Sequence, residues 1–346
     1  MKAVELVFTR EYARLVAQLT RSLGLASLAT AEDAVQSALV KAMRLWPVHG
    51  EPANPSGWLF DVARNAAIDA LRRDGRQVEL SDEWAAPRLN SGFANEISDD
   101  EMALLFAVCH PALPVQSQLV LALKVLCGFG AREIAAGLLT TENAVAQRLA
   151  RARALIADQR LRFEVPPPEA LPARRAAVLA ALHLMFNEGY QSASADEFHK
   201  PAVCAEAIRL SRAVALHPTS THPDAHALAA TLLFHAARMP SRLGADGHII
   251  LLADQARSTW DSAQIGLGLA HLQAAQSATA LSTYHLQAGI AAAHSTAPSY
   301  AQTDWTLIVR YYQQLSLIDP QPTTRLGHAI AIAQLHGAAA DRKSVV

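Results

Sequence analysis

Two groups of side chains in this sequence are suited to reading nucleic acid. From Glu142 to Ile156 the chain runs Glu-Asn-Ala-Val-Ala-Gln-Arg-Leu-Ala-Arg-Ala-Arg-Ala-Leu-Ile. At helical spacing Val145, Leu149, Ala152 and Ile156 form one apolar stripe, and Asn143, Ala144, Gln147, Arg148 and Arg151 fall outside it. Amide and guanidinium groups can bond adenine and guanine edges bidentately in a DNA major groove, each good pair giving roughly 1–3 kcal/mol of discrimination. The second group is Asn54, Trp58, Arg64, Asn65, Arg72 and Arg73, a polar loop leading into a basic helix. Drawing a base out of the stack costs a few kcal/mol, which stacking, edge hydrogen bonds and phosphate contacts of this kind offset. Trp58 has two readings, contact with the displaced strand or a core aromatic at a helix start.

Enzyme chemistry finds no such foothold. The sequence has no phosphate-cradling glycine loop, nucleophile elbow or triad-like context, so no catalytic residue and no cofactor are expected. His217, His222 and His226 occupy a turn without the carboxylate pattern of a metal site, and no metal is expected there. Cys109, Cys127 and Cys204 are far apart and odd in number, as reduced core thiols would be.

The elements that must position these groups are helices. Apolar residues recur at i, i+3 and i+4 almost throughout, so the chain reads as all-α. Ala131–Leu138, a turn at Leu139-Thr140-Thr141, and a second helix capped by Thr141 form a helix-turn-helix pattern. Upstream, Thr30 is expected to cap a helix with Asp33 at the capping-box position, ending at Pro47. Val35, Leu39 and Ala42 share its core face, widened by Ala38 and Leu45. Asp33, Gln36, Lys41 and Arg44 lie outside that stripe. Ser56 is expected to cap the helix 57–73.

Two stretches interrupt the helices. Residues 75–98 are acidic and hold Pro87, Asn90, Ser91 and Gly92, which suits a flexible linker. Pro166-Pro167-Pro168 cannot lie inside a helix and should act as a stiff joint. The expected blocks are therefore 1–74, 99–165 and 169–346. The net charge is only −1, which argues against binding nucleic acid by charge alone. Charge is segregated, however. Residues 124–164 carry a net +3 and residues 81–108 a net −5. No uncharged apolar run approaches the roughly 20 residues of a membrane span, and Glu5 interrupts anything like a secretory leader, so a cytoplasmic protein without membrane contact is expected.

Together, Asp33-Ala-Val-Gln36, Asn54-Pro-Ser-Gly-Trp58-Leu59 and Val62-Ala-Arg64-Asn65-x-x-Ile68-Asp69-x-Leu71-Arg72-Arg73 resemble region 2 of extracytoplasmic-function RNA polymerase sigma factors. Glu133-Ile134-Ala135 through Val145-x-x-Arg148-Leu149-x-Arg151-Ala152-Arg153 resembles their region 4, with Leu139 where many members have glycine. The resemblance implies the β′ and β subunits of core RNA polymerase and promoter DNA as partners. By the same token Asp33, Gln36 and Arg44 would dock on polymerase. Asn54, Trp58, Arg64, Asn65, Arg72 and Arg73 would serve the −10 element, and Asn143, Ala144, Gln147, Arg148 and Arg151 the −35 element. It also implies that the acidic linker threads through polymerase.

Beyond Glu169 the chain reads as helical hairpins of tetratricopeptide type without a strict 34-residue repeat. Phe186-Asn-Glu-Gly-Tyr190, Cys204–Leu210, Asp254-Gln-x-Arg257-Ser-x-Trp260-Asp261, Tyr284–Ala288 and Asp304-Trp305 resemble the extension of one sigma subgroup. A regulatory or supporting role is expected for it, with a regulatory protein or ligand as its partner. The other reading is an interaction scaffold docked on polymerase through sigma-like domains. Asn187, Glu188, Asp254, Arg257 and Asp261 could form a ligand pocket or simply fix helix packing.

Overall fold

A computed structural model describes residues 2–73, 99–138, 140–191, 200–218, 220–244 and 248–336. Among these, apart from short 3-10 turns, the regular elements are α-helices, and the one β-pairing is a bridge between Leu243 and Ile249. This is the all-α architecture that the periodicity predicts. The proposed linker 75–98 and the turn residue Leu139 lie outside the described residues. The chain divides into two compact units, Met1–Glu188 and Gly189–Val346.

The first unit begins with α1 (Lys2–Leu23), α2 (Leu28–His49) and α3 (Pro55–Arg73), with α2 packed along both others. Tyr12, Leu15, Val16 and Leu19 of α1, Val35, Ala38, Leu39 and Ala42 of α2, and Leu59, Phe60 and Ala63 of α3 are buried. Two expected helix ends move. The α2 helix starts at Leu28, so Thr30 is inside it rather than capping it, and Ser27 at the N-cap makes no side-chain cap bond. Pro47 lies within its last turn and does not stop it. A proline this close to a C-terminus removes only one bond of a ladder about to end. Termination falls to Gly50, whose φ of 83° favours glycine and whose N–H donates to the Trp46 carbonyl. Leu45, expected to widen the core face, is 37% exposed.

The second group comprises α4 (Asp99–Val108), α5 (Val115–Cys127), α6 (Ala131–Gly137) and α7 (Glu142–Asp158). Almost every side of α5 is buried, which makes it the core helix of this group. The prolines at 166–168 are non-helical, as expected. Nevertheless α8 (Leu171–Gln191) belongs to the first unit through Glu188. Its buried Arg174 donates from Nη2 to the Phe106 carbonyl in the last turn of α4 at 2.7 Å, and the Met185 sulfur lies 3.2 Å from that of Cys127. None of the three cysteines forms a disulfide, and burial pushes the Cys109 and Cys204 thiols up to about 12.

The second unit runs through α9 (Lys200–Leu216), α10 (Pro223–Ala237), α11 (Ser262–Ala275), α12 (Thr283–Thr296), α13 (Trp305–Ile318) and α14 (Pro322–His336). The central α10 packs on α9, α11 and α12, and the stack continues from α12 to α13 to α14. Glycine at 289 permits a close approach of α12 and α13, since a Cβ there would meet the Tyr311 ring at 2.6 Å. Of the polar residues expected to form a pocket or a packing network, Arg257 and Asp261 tie down helix ends. Arg257 donates to the carbonyls of His294 and Ala297 at the end of α12, and Asp261 caps α11 by accepting from Ala263 and Gln264.

Burial lowers the pKa of His271 and His294 to about 4. His226 and Arg212 add to the effect at His271, as Arg238 and Arg257 do at His294. The folded state therefore binds fewer protons than the unfolded one between about pH 6.5 and 4, and stability falls as pH drops through that window. For His271, the more buried of the two, roughly 2–3 kcal/mol is at stake. Thermal melts of the full chain from pH 7.5 to 4.5 should show the second unit losing stability progressively, and a His271→Gln variant should show a shallower loss.

Candidate nucleic-acid and polymerase interface

The α7 helix is built as its sequence predicts. Thr141 accepts from the Ala144 N–H at 3.2 Å and fixes the start, while Val145, Leu149, Ala152 and Ile156 are buried. Asn143, Gln147 and Arg151 are exposed, and Ala144 and Arg148 are half-buried. Arg151 Nη2 bonds Gln147 Oε1 at 3.2 Å, one turn away, so amide and guanidinium stand side by side on the outer face. The preceding α6 starts with a cap that sequence reasoning missed, the Glu133 carboxylate accepting from the Gly130 N–H at 2.7 Å.

On α3 the basic residues are brought to one stretch of helix. Asn65, Arg72 and Arg73 are exposed. Arg64 is half-buried and pairs with Asp61 at 3.3 Å. Arg73 Nε donates to the Asp69 carbonyl. The cap of this helix is Asn54 rather than Ser56. The Asn54 side chain accepts from the Gly57 N–H at 3.0 Å, with Pro55 in the first helical position, where its missing N–H costs nothing. Asn54 thus has a structural task besides any contact with DNA. Trp58 is half-buried and stacks edge-on against Trp46, centroids 5.6 Å apart. Part of its surface remains open.

On α2, Asp33 and Arg44 are exposed and Gln36 is half-buried. Sequence reasoning missed the apolar half of this surface. Val40, Met43 and Val48, at 47%, 55% and 77% exposed, surround Lys41 and Arg44. A polar-apolar mixture of this kind suits a protein contact. The signal was present in the sequence, since these residues fall outside the Val35–Leu39–Ala42 stripe.

Two ion pairs were also missed because their partners are distant in sequence. Glu32 is 1% exposed, since it lies four residues after Leu28 and three before Val35 on the buried face of α2. Its Oε2 accepts from Arg153 Nη2 on α7 at 3.0 Å. Burial raises the Glu32 pKa, with Arg153 and then Lys124 opposing. Nearby, Arg21 of α1 meets Asp100 of α4 at 2.5 Å. These pairs join the first helical group to the second. Contacts of α1 with α4 and α5, and of α7 with the 25–27 turn, complete the junction.

Among the described residues, no group of three histidine, cysteine or acidic side chains is placed to hold a metal ion, and no helix is long and apolar enough to cross a membrane. His222 is used as a cap, its Nδ1 accepting from the Asp224 N–H, and His226 meets His271 with their Nδ1 atoms 3.0 Å apart.

Comparison with known proteins agrees with this geometry. Residues 8–77 match the family described as Sigma-70 region 2, and residues 104–156 match Sigma-70, region 4. Residues 174–276 match a family of unknown function, DUF6596, which begins within α8. An uncharacterized protein, R00370, of Rhizobium meliloti is 37% identical over 319 residues, 90% of this chain and 75% of that protein. The ECF RNA polymerase sigma factor SigL of Mycobacterium tuberculosis is 34% identical over 124 residues, 35% of this chain and 69% of SigL. No solved structure gives a significant match. With both DNA-reading regions in order and this similarity to a sigma factor, the chain belongs to the extracytoplasmic-function family of RNA polymerase sigma factors.

Proposed function

We propose that this sigma factor selects promoters through two separate faces and carries a helical module that supports or regulates the step. The family makes it a transcription initiation factor that binds core RNA polymerase and promoter DNA. Asn143, Ala144, Gln147, Arg148 and Arg151 on α7 read the −35 element. Trp58, Arg64, Asn65, Arg72 and Arg73, with Asn54 at the head of α3, serve the −10 element and strand separation. Asp33, Gln36 and Arg44 on α2, with exposed Val40 and Met43 beside them, dock on the β′ subunit, and β is approached through the second helical group. The work is done in the cytoplasm, where polymerase and promoter are.

The observation that carries this reading is the outer face of α7, a capped helix of a helix-turn-helix presenting Gln147 and Arg151 together to solvent. Arg148→Ala or Arg151→Ala should lower transcription about 5- to 150-fold at promoters with a matched −35 element, the equivalent of roughly 1–3 kcal/mol for a lost base contact. Promoters lacking that match should change much less. An equal loss at every promoter would assign these arginines to phosphates or to folding instead.

For the extension, exposed Leu317, Ile318, Leu326 and Ile330 on α13 and α14 favour a protein-binding role. The scaffold reading gives that role primacy. Deleting residues 192–346 while keeping α8 separates the two, because a scaffold would leave promoter-specific transcription unchanged and a supporting module would not.

A further inference from the structure

We propose that Arg238, Arg242 and Arg257 form a binding site in the second unit for a small molecule that bears a phosphoryl group and more than one negative charge. Two side chains bring the three arginines together. Arg238 Nη2 donates to the Tyr190 hydroxyl at 3.0 Å, and the Arg242 guanidinium lies over the Tyr190 ring, 3.8 Å from its centroid. His294 lies beside Arg238 and Arg257. Burial first, and then these two charges, hold its pKa down to about 4, so it adds no positive charge at neutral pH. All three arginines are half-buried, and the Arg257 guanidinium lies over the Trp260 ring at 4.6 Å.

The backbone under this cluster is pinned. The Trp260 indole N–H donates to Ser241 Oγ at 2.8 Å and the Asp261 N–H to the Ala237 carbonyl at 2.9 Å, which ties the segment carrying Arg257 to the one carrying Arg238. The Ile250 N–H donates to the Arg242 carbonyl at 2.8 Å, next to the bridge between Leu243 and Ile249. An arriving anion therefore does not have to order the chain that holds its partners.

What the cluster lacks is a counter-charge. Among the described residues no carboxylate lies within ion-pair distance of any of the three, whereas Arg209 in the same unit has Glu206 at 2.5 Å. Asp254 is exposed, and Asp261 is engaged in capping α11. Capping accounts for only part of the arginines' work. Arg257 Nη1 serves the carbonyls at the end of α12, but among the described residues its buried Nη2 and the buried Nδ1 of His294 have no partner. Half-buried like charges and unpaired buried donors both cost free energy, and an oxyanion offsets both. Guanidiniums stacked on Tyr190 and Trp260 keep their in-plane N–H groups for the fork geometry that suits phosphate. A phosphate ester carries about 1.5–2 negative charges at neutral pH and a diphosphate more, which matches three guanidiniums better than a single carboxylate does.

The test is isothermal titration calorimetry of the full chain at constant ionic strength with pyrophosphate, inorganic phosphate, ribose 5-phosphate and citrate. Pyrophosphate should bind once per chain with a Kd of about 1 mM or tighter. Inorganic phosphate and ribose 5-phosphate should bind more weakly at the same site, and the tighter of the two tells whether the natural ligand is free phosphate or an ester. Arg238→Gln and Arg242→Gln should each weaken pyrophosphate binding about tenfold or more, with helicity by circular dichroism unchanged. Arg325→Gln, at an exposed arginine on α14, should leave it unaltered. Should Arg238→Gln unfold, Arg242→Gln decides, because the Arg242 side chain meets the fold at the Tyr190 ring. No saturable binding of pyrophosphate, citrate binding as tightly as pyrophosphate, or an equal loss in Arg325→Gln would overturn the site. The titration needs no polymerase, so its failure leaves promoter selection standing. A chain that binds pyrophosphate here yet initiates at no promoter would refute promoter selection and leave the site.

Discussion

Cutting the chain after Pro168 should destabilise the −35-reading group by at least about 3 kcal/mol, whereas cutting it after Gln191 should leave that group intact. The proline-rich segment looks like a domain joint, but the helix after it reaches back into the first unit. The Arg174 guanidinium, 9% exposed, satisfies the Phe106 carbonyl in the last turn of α4, where no intrahelical N–H is left to do so. Losing a buried charge-assisted bond costs roughly 1.5–3 kcal/mol, and loss of the Met185 contact with Cys127 adds to it. For a unit of this size 3 kcal/mol corresponds to a fall in Tm of about 6–12 °C. Melting curves of the two truncations, with hydrogen exchange on the α4 and α5 amides, provide the check. Equal melting temperatures and equal protection would show that α8 is not part of the sigma core.

The second large effect is electrostatic. Arg153→Ala should destabilise the first unit by about 2 kcal/mol, and adding Glu32→Gln should recover most of the loss. Removing one partner of a buried pair typically costs 3–5 kcal/mol because the other charge is left unpaired, and the figure is reduced here because Arg153 is more than a third exposed. The pH dependence fixes the sign. Burial raises the folded-state pKa of Glu32, so the folded form holds this proton more tightly than the unfolded form. The deficit of Arg153→Ala should therefore shrink as pH falls through that raised pKa, as the carboxylate becomes a neutral acid. Urea titrations of the single and double variants at two pH values measure it. A double variant no more stable than Arg153→Ala would show that the carboxylate is not the source of the cost.

Local patterns in the sequence carried much of this structure. The α7 stripe of Val145, Leu149, Ala152 and Ile156, its Thr141 cap and its outward Asn143, Gln147 and Arg151 follow from helical spacing and capping chemistry alone. Helix ends were less legible. Thr30 with Asp33 forms a sound capping pattern, yet α2 extends back to Leu28, which places Thr30 inside the helix. Asn54 and Ser56 both suit a cap, and Pro55 between them decides for Asn54 because proline is favoured in the first helical position. Long-range partners left no trace. Nothing in the local sequence says that Arg153 meets Glu32 or that Arg174 reaches Phe106, because periodicity records which face is buried and not what covers it.

The most direct test of the central claim is transcription reconstituted from purified full-length protein and core RNA polymerase on promoters mapped from transcript starts after overexpression. Specific transcripts should begin at those starts, depend on added protein, and weaken with Arg151→Ala where the −35 element is matched. A folded protein that binds core polymerase but yields no transcript from any mapped promoter would contradict the account.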